Sequence, residues 1–167
     1  MFNRFFPSIA AAGLSLVLML ATSLPAAAAG PTKTALAFSF SAVITDVCLF
    51  PLDLDSTISG SQTDFVDKSG TLTRSQIHQV QQDTFTANGK TLVGNPYVVN
   101  AEILFDNSGN VTHLYVTGIY EKIPLPDGSL FVSAGRADFT THGVGFLISP
   151  DKGNPGNLAG FCAALSP

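Results

Sequence analysis

Tryptophan is absent from this chain, cysteine occurs twice, and charged residues make up only 12% of its 167 positions. Each scarcity excludes something. Without Trp, the commonest platform for stacking a sugar ring is missing. The two cysteines, Cys48 and Cys162, lie too far apart for the close ligand spacing of a zinc site. Lys and Arg are scattered without a run, so the clustered positive charge that neutralises phosphates is missing and no nucleic-acid partner is expected. No G-x-S-x-G, P-loop or Rossmann fingerprint occurs. Beyond residue 29 no stretch is apolar over the roughly 20 residues that a membrane-spanning helix needs.

The first 29 residues read as a secretory signal, with a single charge at Arg4, an apolar run from Ile9 to Leu20, and small-x-small cleavage sites within Ala26–Ala29. The apolar run is short for a bilayer crossing, and Pro25 interrupts its end. No cysteine stands at the cleavage site, which excludes a lipoprotein anchor. The expected organisation is a signal peptide over 1–29 and a single domain over 30–167. That domain is expected to be secreted or extracytoplasmic, soluble and monomeric. Without Arg4 it carries seven Lys and Arg against twelve Asp and Glu, a net charge of −5. Of the thirteen Phe, only Phe2, Phe5 and Phe6 precede it, so ten remain to build a core.

Export places Cys48 and Cys162 in an oxidising compartment, and an even count leaves no odd thiol. They are therefore expected to be bonded to each other. In the chain-entropy description a loop of this length contributes about 4–5 kcal/mol. The pairing would also remove the only thiol nucleophile.

The hydrophobic period is two. Leu36, Phe38, Phe40, Ala42 and Ile44 alternate with small or polar residues, and Leu52, Leu54 and Ile58 alternate with Asp53, Asp55 and Thr57. Ser69-Gly70, Asn88-Gly89, Ser108-Gly109 and Asp127-Gly128 are turn signals between β-rich runs. Thr84–Thr86 and Lys90–Val93 form the arms around Asn88-Gly89. Tyr97 to Phe105 presents one apolar face, and Val111 to Ile123 is apolar on both, as a central strand would be. Ser129 to Thr140 pairs with it, and Gly145 to Ser149 is a short further strand. Thr73 to Gln82 is polar enough to read as an edge strand, with a helical turn as the alternative. Pro150 to Asn157 reads as a loop, after which Leu158 to Leu165 brings Cys162 back to the body. The sum is an all-β, single-domain antiparallel sandwich or closed barrel of about eight or nine strands.

Candidate sites are few. Arg136, Asp138, Thr140 and His142 share one face if their strand runs straight. Such a row suits binding of a polar ligand, or acid–base chemistry; the plain reading is a solvated face with an Arg–Asp pair. Asp53 and Asp55 also share a face, with Asp46 nearby in sequence, as glycosidase or calcium sites require; surface acids on a strand look the same. Asp106 to Asn110 has its glycine too early for a calcium loop and reads as a turn. His78, His113 and His142 lack metal-ligand spacing. Ser149-Pro150-Asp151-Lys152 matches S-x-x-K, but Pro150 and Gly153 forbid the helix that this motif needs. No catalytic residue, metal ligand or cofactor is assigned.

Cys48-Leu49-Phe50-Pro51, Asn88-Gly89-Lys90-Thr91, Asp127-Gly128 with Gly135-Arg136, and the closing Phe161-Cys162-Ala163-Ala164-Leu165 together resemble a group of small exported bacterial proteins, mainly actinobacterial. The resemblance spans most of residues 30–167. It implies paired terminal cysteines, a β-rich body and export, and it offers no catalytic residues to carry over. Two functional classes follow. One is a non-catalytic exported or envelope-associated domain that binds an extracellular or envelope ligand. The other is a small barrel enzyme or carrier with an apolar cavity, of lipocalin-like or cyclase-like form.

Overall fold

A computed structural model describes residues 30–142 and 148–167. The element order is β1 (Thr32–Ile44), β2 (Leu52–Val66), β3 (Leu72–Ala87), β4 (Lys90–Val93), β5 (Tyr97–Phe105), β6 (Val111–Pro124), β7 (Leu130–Asp138), α1 (Phe139–His142), β8 (Lys152–Asn154) and α2 (Leu158–Leu165). All eight strands belong to one antiparallel sheet in the order β1-β2-β3-β5-β6-β7-β8, with β4 paired to the end of β3. The expected all-β class and strand number hold. The sheet is not closed, so a sandwich fits and a closed barrel does not. No helix among the described residues is long and apolar enough to cross a membrane.

The turns follow their chemistry. Asn88 and Gly89 both take positive φ, 52° and 74°, as a two-residue hairpin turn requires. Three other hairpins share one construction, in which the N–H of Gly70, Gly109 or Gly128 donates to the carbonyl three residues before it. In each, an aspartate (Asp67, Asp106 or Asp127) accepts a backbone N–H from the serine two residues on.

Directly paired residues point to the same side of a sheet. The register therefore defines an inner face, which carries Ile44, Leu52, Leu54, Phe85, Leu92, Ile123 and Phe131, all buried. Helix α2 covers this face. Its Phe161 ring meets Phe85 edge-on at 5.2 Å and Phe131 at 5.1 Å. Asn157 caps the helix by accepting from the Gly160 N–H at 3.1 Å. At the other end the Asn88 side chain donates to the Leu165 carbonyl at 2.9 Å, and the Lys90 ammonium donates to the Ser166 carbonyl. The expected Cys48–Cys162 bond is formed, with the two Cα atoms 5.6 Å apart. It ties α2 to the β1–β2 connection, and it is consistent with folding in an oxidising, extracytoplasmic setting.

Three readings of the chain change. Thr73–Gln82 is no edge strand, since it lies within β3 and pairs with β2 on one side and β5 on the other. Its polar residues stand on both faces, Arg74, Gln76, His78 and Gln82 on the outer one, which no second layer among the described residues covers, and Ser75, Gln79 and Gln81 on the inner one. The Pro150–Asn157 loop contains β8, which pairs with β7 through Gly153 and Gly135. A Cβ on Gly135 would lie 2.0 Å from the Lys152 carbonyl, so only glycine allows this approach. Leu158–Leu165 is helical. The proposed strand at Gly145 to Ser149 lies mainly outside the described residues, and Ser149 itself is in a bend.

Strand β6 holds one irregularity. Ile119 pairs with Ala134 and Glu121 with Ser133, so Tyr120 is an extra residue between them. The bulge reverses the alternation. Gly118 faces inward, and beyond the bulge Glu121 and Ile123 do so too. This is why Val111–Ile123 looks apolar on both faces.

Candidate functional site: a polar groove and a buried acid pair

The outer face carries two cross-strand rows. The register aligns Ser61, His78, Asn100, Thr117 and Arg136 as successive partners across β2, β3, β5, β6 and β7. Beside it, Lys33 on β1 leads through Thr63, Gln76, Glu102 and Tyr115 to Asp138. Apart from Asp138, these rows line an open groove of about 670 Å³. Nearly all of its side chains are hydroxyls, amides or charges.

Several groove side chains hold one another. His78 Nδ1 lies 2.7 Å from Asn100 Oδ1, so this nitrogen carries the proton and donates to the amide oxygen. The Arg136 guanidinium lies 4.1 Å over the Tyr115 ring, and His113 is stacked with that ring at 5.5 Å. The ring is thus a mount for Arg136 and not a free surface. Arg74 lies 3.7 Å from Glu102, an exposed ion pair of little energetic weight. The cations that line the groove, Lys33 and Arg136, stand at opposite ends, on β1 and β7.

The structure separates the four residues that a straight strand would align. Arg136 lies in the groove, and Asp138 lies on the same face at the end of β7. There the strand stops. Thr140 belongs to the α1 turn, where its N–H donates to the Asp138 carboxylate at 3.0 Å and its hydroxyl accepts the Leu114 N–H at 2.9 Å. His142 is the last residue of α1. Asp53 and Asp55 are exposed on the outer face of β2, Asp55 accepting from the Ser41 hydroxyl at 2.5 Å. Among the described residues no three His, Cys, Asp or Glu side chains come together as a metal site. Ser149 donates to the Pro155 carbonyl at 2.9 Å while Lys152 lies in β8, far from the geometry of an activated serine.

Sequence reasoning missed His78, Asn100, Glu102 and Tyr115 as one surface. The signal was the stretch from Gln76 to Gln82, polar on both faces apart from Ile77 and Val80 and without a turn residue; only the register of β3 with β2 and β5 converts its outer face into a row.

It also missed a second polar cluster, on the inner face. Asp83 and Glu121 are both fully buried. The Tyr97 hydroxyl donates to Asp83, and the Gln81 amide donates to both Asp83 oxygens at 3.0 and 3.1 Å. Glu121 has neither oxygen in hydrogen-bond geometry; the interaction it does feel is with the neighbouring Asp83. Burial first, and then the Asp83 charge, push the Glu121 carboxyl well above the usual range. Burial, followed by the charges of Glu121 and Asp83, pushes the Tyr97 hydroxyl up as well. Ser56, paired with Asp83, and Ser133, paired with Glu121, are buried beside them with hydroxyls that have no partner among the described residues.

Comparison with protein-family models, with curated proteins and with solved structures finds no match to this chain.

Proposed function

We propose that this protein is an exported, non-catalytic binding domain whose outer-face groove takes an extended polar ligand outside the cell or in its envelope. The observation that carries this reading is the pair of cross-strand rows. They line an open groove with hydrogen-bonding groups, and its volume of about 670 Å³ falls within the usual range of ligand sites. The His78–Asn100 bond and the seating of Arg136 on Tyr115 support it further, because they order the groove side chains before a ligand arrives. The lining favours a ligand rich in hydroxyl or amide groups, with negative charge drawn to Lys33 and Arg136.

The second reading, a small enzyme or carrier, has one observation in its favour: two buried carboxyls beside a tyrosine are the kind of set that acid–base chemistry uses. The open sheet and the full burial of both acids favour it less, because a substrate must reach the reacting atoms.

An array of bacterial envelope glycans and peptidoglycan fragments, probed with the secreted protein, tests the first reading. Binding that is lost in the double variant Asn100→Ala, Arg136→Ala supports the groove. Binding unchanged in that variant, or no binding to any fragment, counts against it.

A further inference from the structure

We propose that Asp83, Tyr97 and Glu121 form a proton-dependent latch on the inner face, in which a single proton on the Asp83–Glu121 pair keeps β6 seated in the sheet. The argument begins with charge balance. Two fully buried carboxyls cannot both be ionised without a compensating charge. The ionisable groups facing Glu121 are Asp83 on β3 and Tyr97 on β5. On β7 its direct partner is Ser133, and α2 carries no acid, base or histidine. No Lys, Arg or His among the described residues pairs with either carboxyl. Lys122 follows Glu121 on β6 and points to the opposite side of the sheet.

Hydrogen bonding decides which group holds the proton. Asp83 accepts from Tyr97 and from Gln81, which are donors suited to an ionised carboxylate. Glu121 has no donor aimed at it. The balanced state is a neutral Glu121 beside an ionised Asp83, and the direction in which burial and the Asp83 charge drive Glu121 agrees with it. Losing that proton would place two like charges in the core, beside neutral groups such as Ser56 and Ser133 and with no cation among the described residues paired to them. The bulge at Tyr120 is the weak point, since it interrupts the β6–β7 ladder beside Glu121. Alkaline conditions should therefore loosen the β6–β7 hairpin first.

Denaturant unfolding of the disulfide-intact protein from about pH 4.5 to about pH 9, compared with Glu121→Gln, tests the latch. The native state holds one proton that the unfolded chain releases. The unfolding equilibrium constant of the natural protein should thus rise by up to about tenfold per pH unit relative to the variant, and the two curves should converge at the acidic end. Curves that stay parallel throughout would overturn the proposal. Infrared spectroscopy of the folded protein at neutral pH gives an independent reading, because it needs no variant that folds. A protonated-carboxyl C=O band, absent from folded Glu121→Gln wherever that variant can be prepared, supports the latch, and the lack of any such band sinks it. Added calcium shifting the curve in place of the proton would also overturn it, since a cation would then balance the pair. Amide exchange corrected for its intrinsic pH dependence should rise first in β6 and β7; a uniform rise would show that no local latch exists.

Discussion

Phe161 on α2 meets Phe85 on β3 edge to face, their ring centres 5.2 Å apart and both side chains fully buried. This contact joins α2 to the sheet, and Phe131 completes the cluster from β7. Phe161→Ala should cost about 3–5 kcal/mol, because it removes a buried ring and leaves a cavity between the layers. Equilibrium unfolding in urea measures it directly. A loss below about 1 kcal/mol would mean that α2 is not part of the cooperative core.

Replacing Cys48 and Cys162 by alanine should destabilise the fold by about 2–5 kcal/mol. The effect has a location. Protection from hydrogen exchange should fall most in α2 and at the β1–β2 connection, where the bond is anchored. Equal loss across the whole sheet would contradict that anchoring.

Gly118 adopts φ of 127°, and a Cβ there would lie 2.6 Å from the Val98 carbonyl on β5. Gly118→Ala should therefore cost about 1–3 kcal/mol in strain, despite its small volume. Thermal unfolding monitored by circular dichroism checks it. A neutral or stabilising result would mean that β5 and β6 approach less closely than described.

Stability should peak in mildly acidic solution. Donated hydrogen bonds, chiefly from Ser75, Ser69, Asn110 and Ser129, hold the carboxyls of Asp64, Asp67, Asp106 and Asp127 below their usual value of 3.8. Their contribution is present above that value and is lost as pH falls through the lowered ones. Glu121 acts in the opposite sense. Raised above its usual 4.5, it contributes stability below that value, which is lost as pH climbs toward its folded pKa. A series of melting temperatures across pH should show a maximum near the overlap of these two windows. Glu121→Gln should move that maximum toward neutral pH, and an unmoved maximum would assign the alkaline limb to other groups.

The alternation of Leu52, Leu54 and Ile58, the Asn88-Gly89 hairpin and the Cys48–Cys162 pair were legible because each rests on local chemistry or on a count. Three features were not. The polarity of Gln76, His78 and Gln82 suggested an edge, since the sequence does not say that the outer face of a central strand lies uncovered. The row from Arg136 to His142 assumed a straight strand, and the turn that ends β7 after Asp138 has no glycine or proline to announce it. The inward position of Glu121 depends on one extra residue, Tyr120, whose effect on alternation is visible only in the pairing of β6 with β7. The groove stayed hidden for a related reason, because its members are distant in sequence and meet only through register.

The bond between Cys48 and Cys162 encloses a span of 114 positions that contains most of the sheet. Proteases cut at exposed hairpin tips such as Asn107–Gly109 or Pro126–Gly128. A single cut at either tip would leave both pieces covalently joined. Such a molecule would run as one species on a non-reducing gel and as two after reduction, with its strands still paired and its groove still assembled.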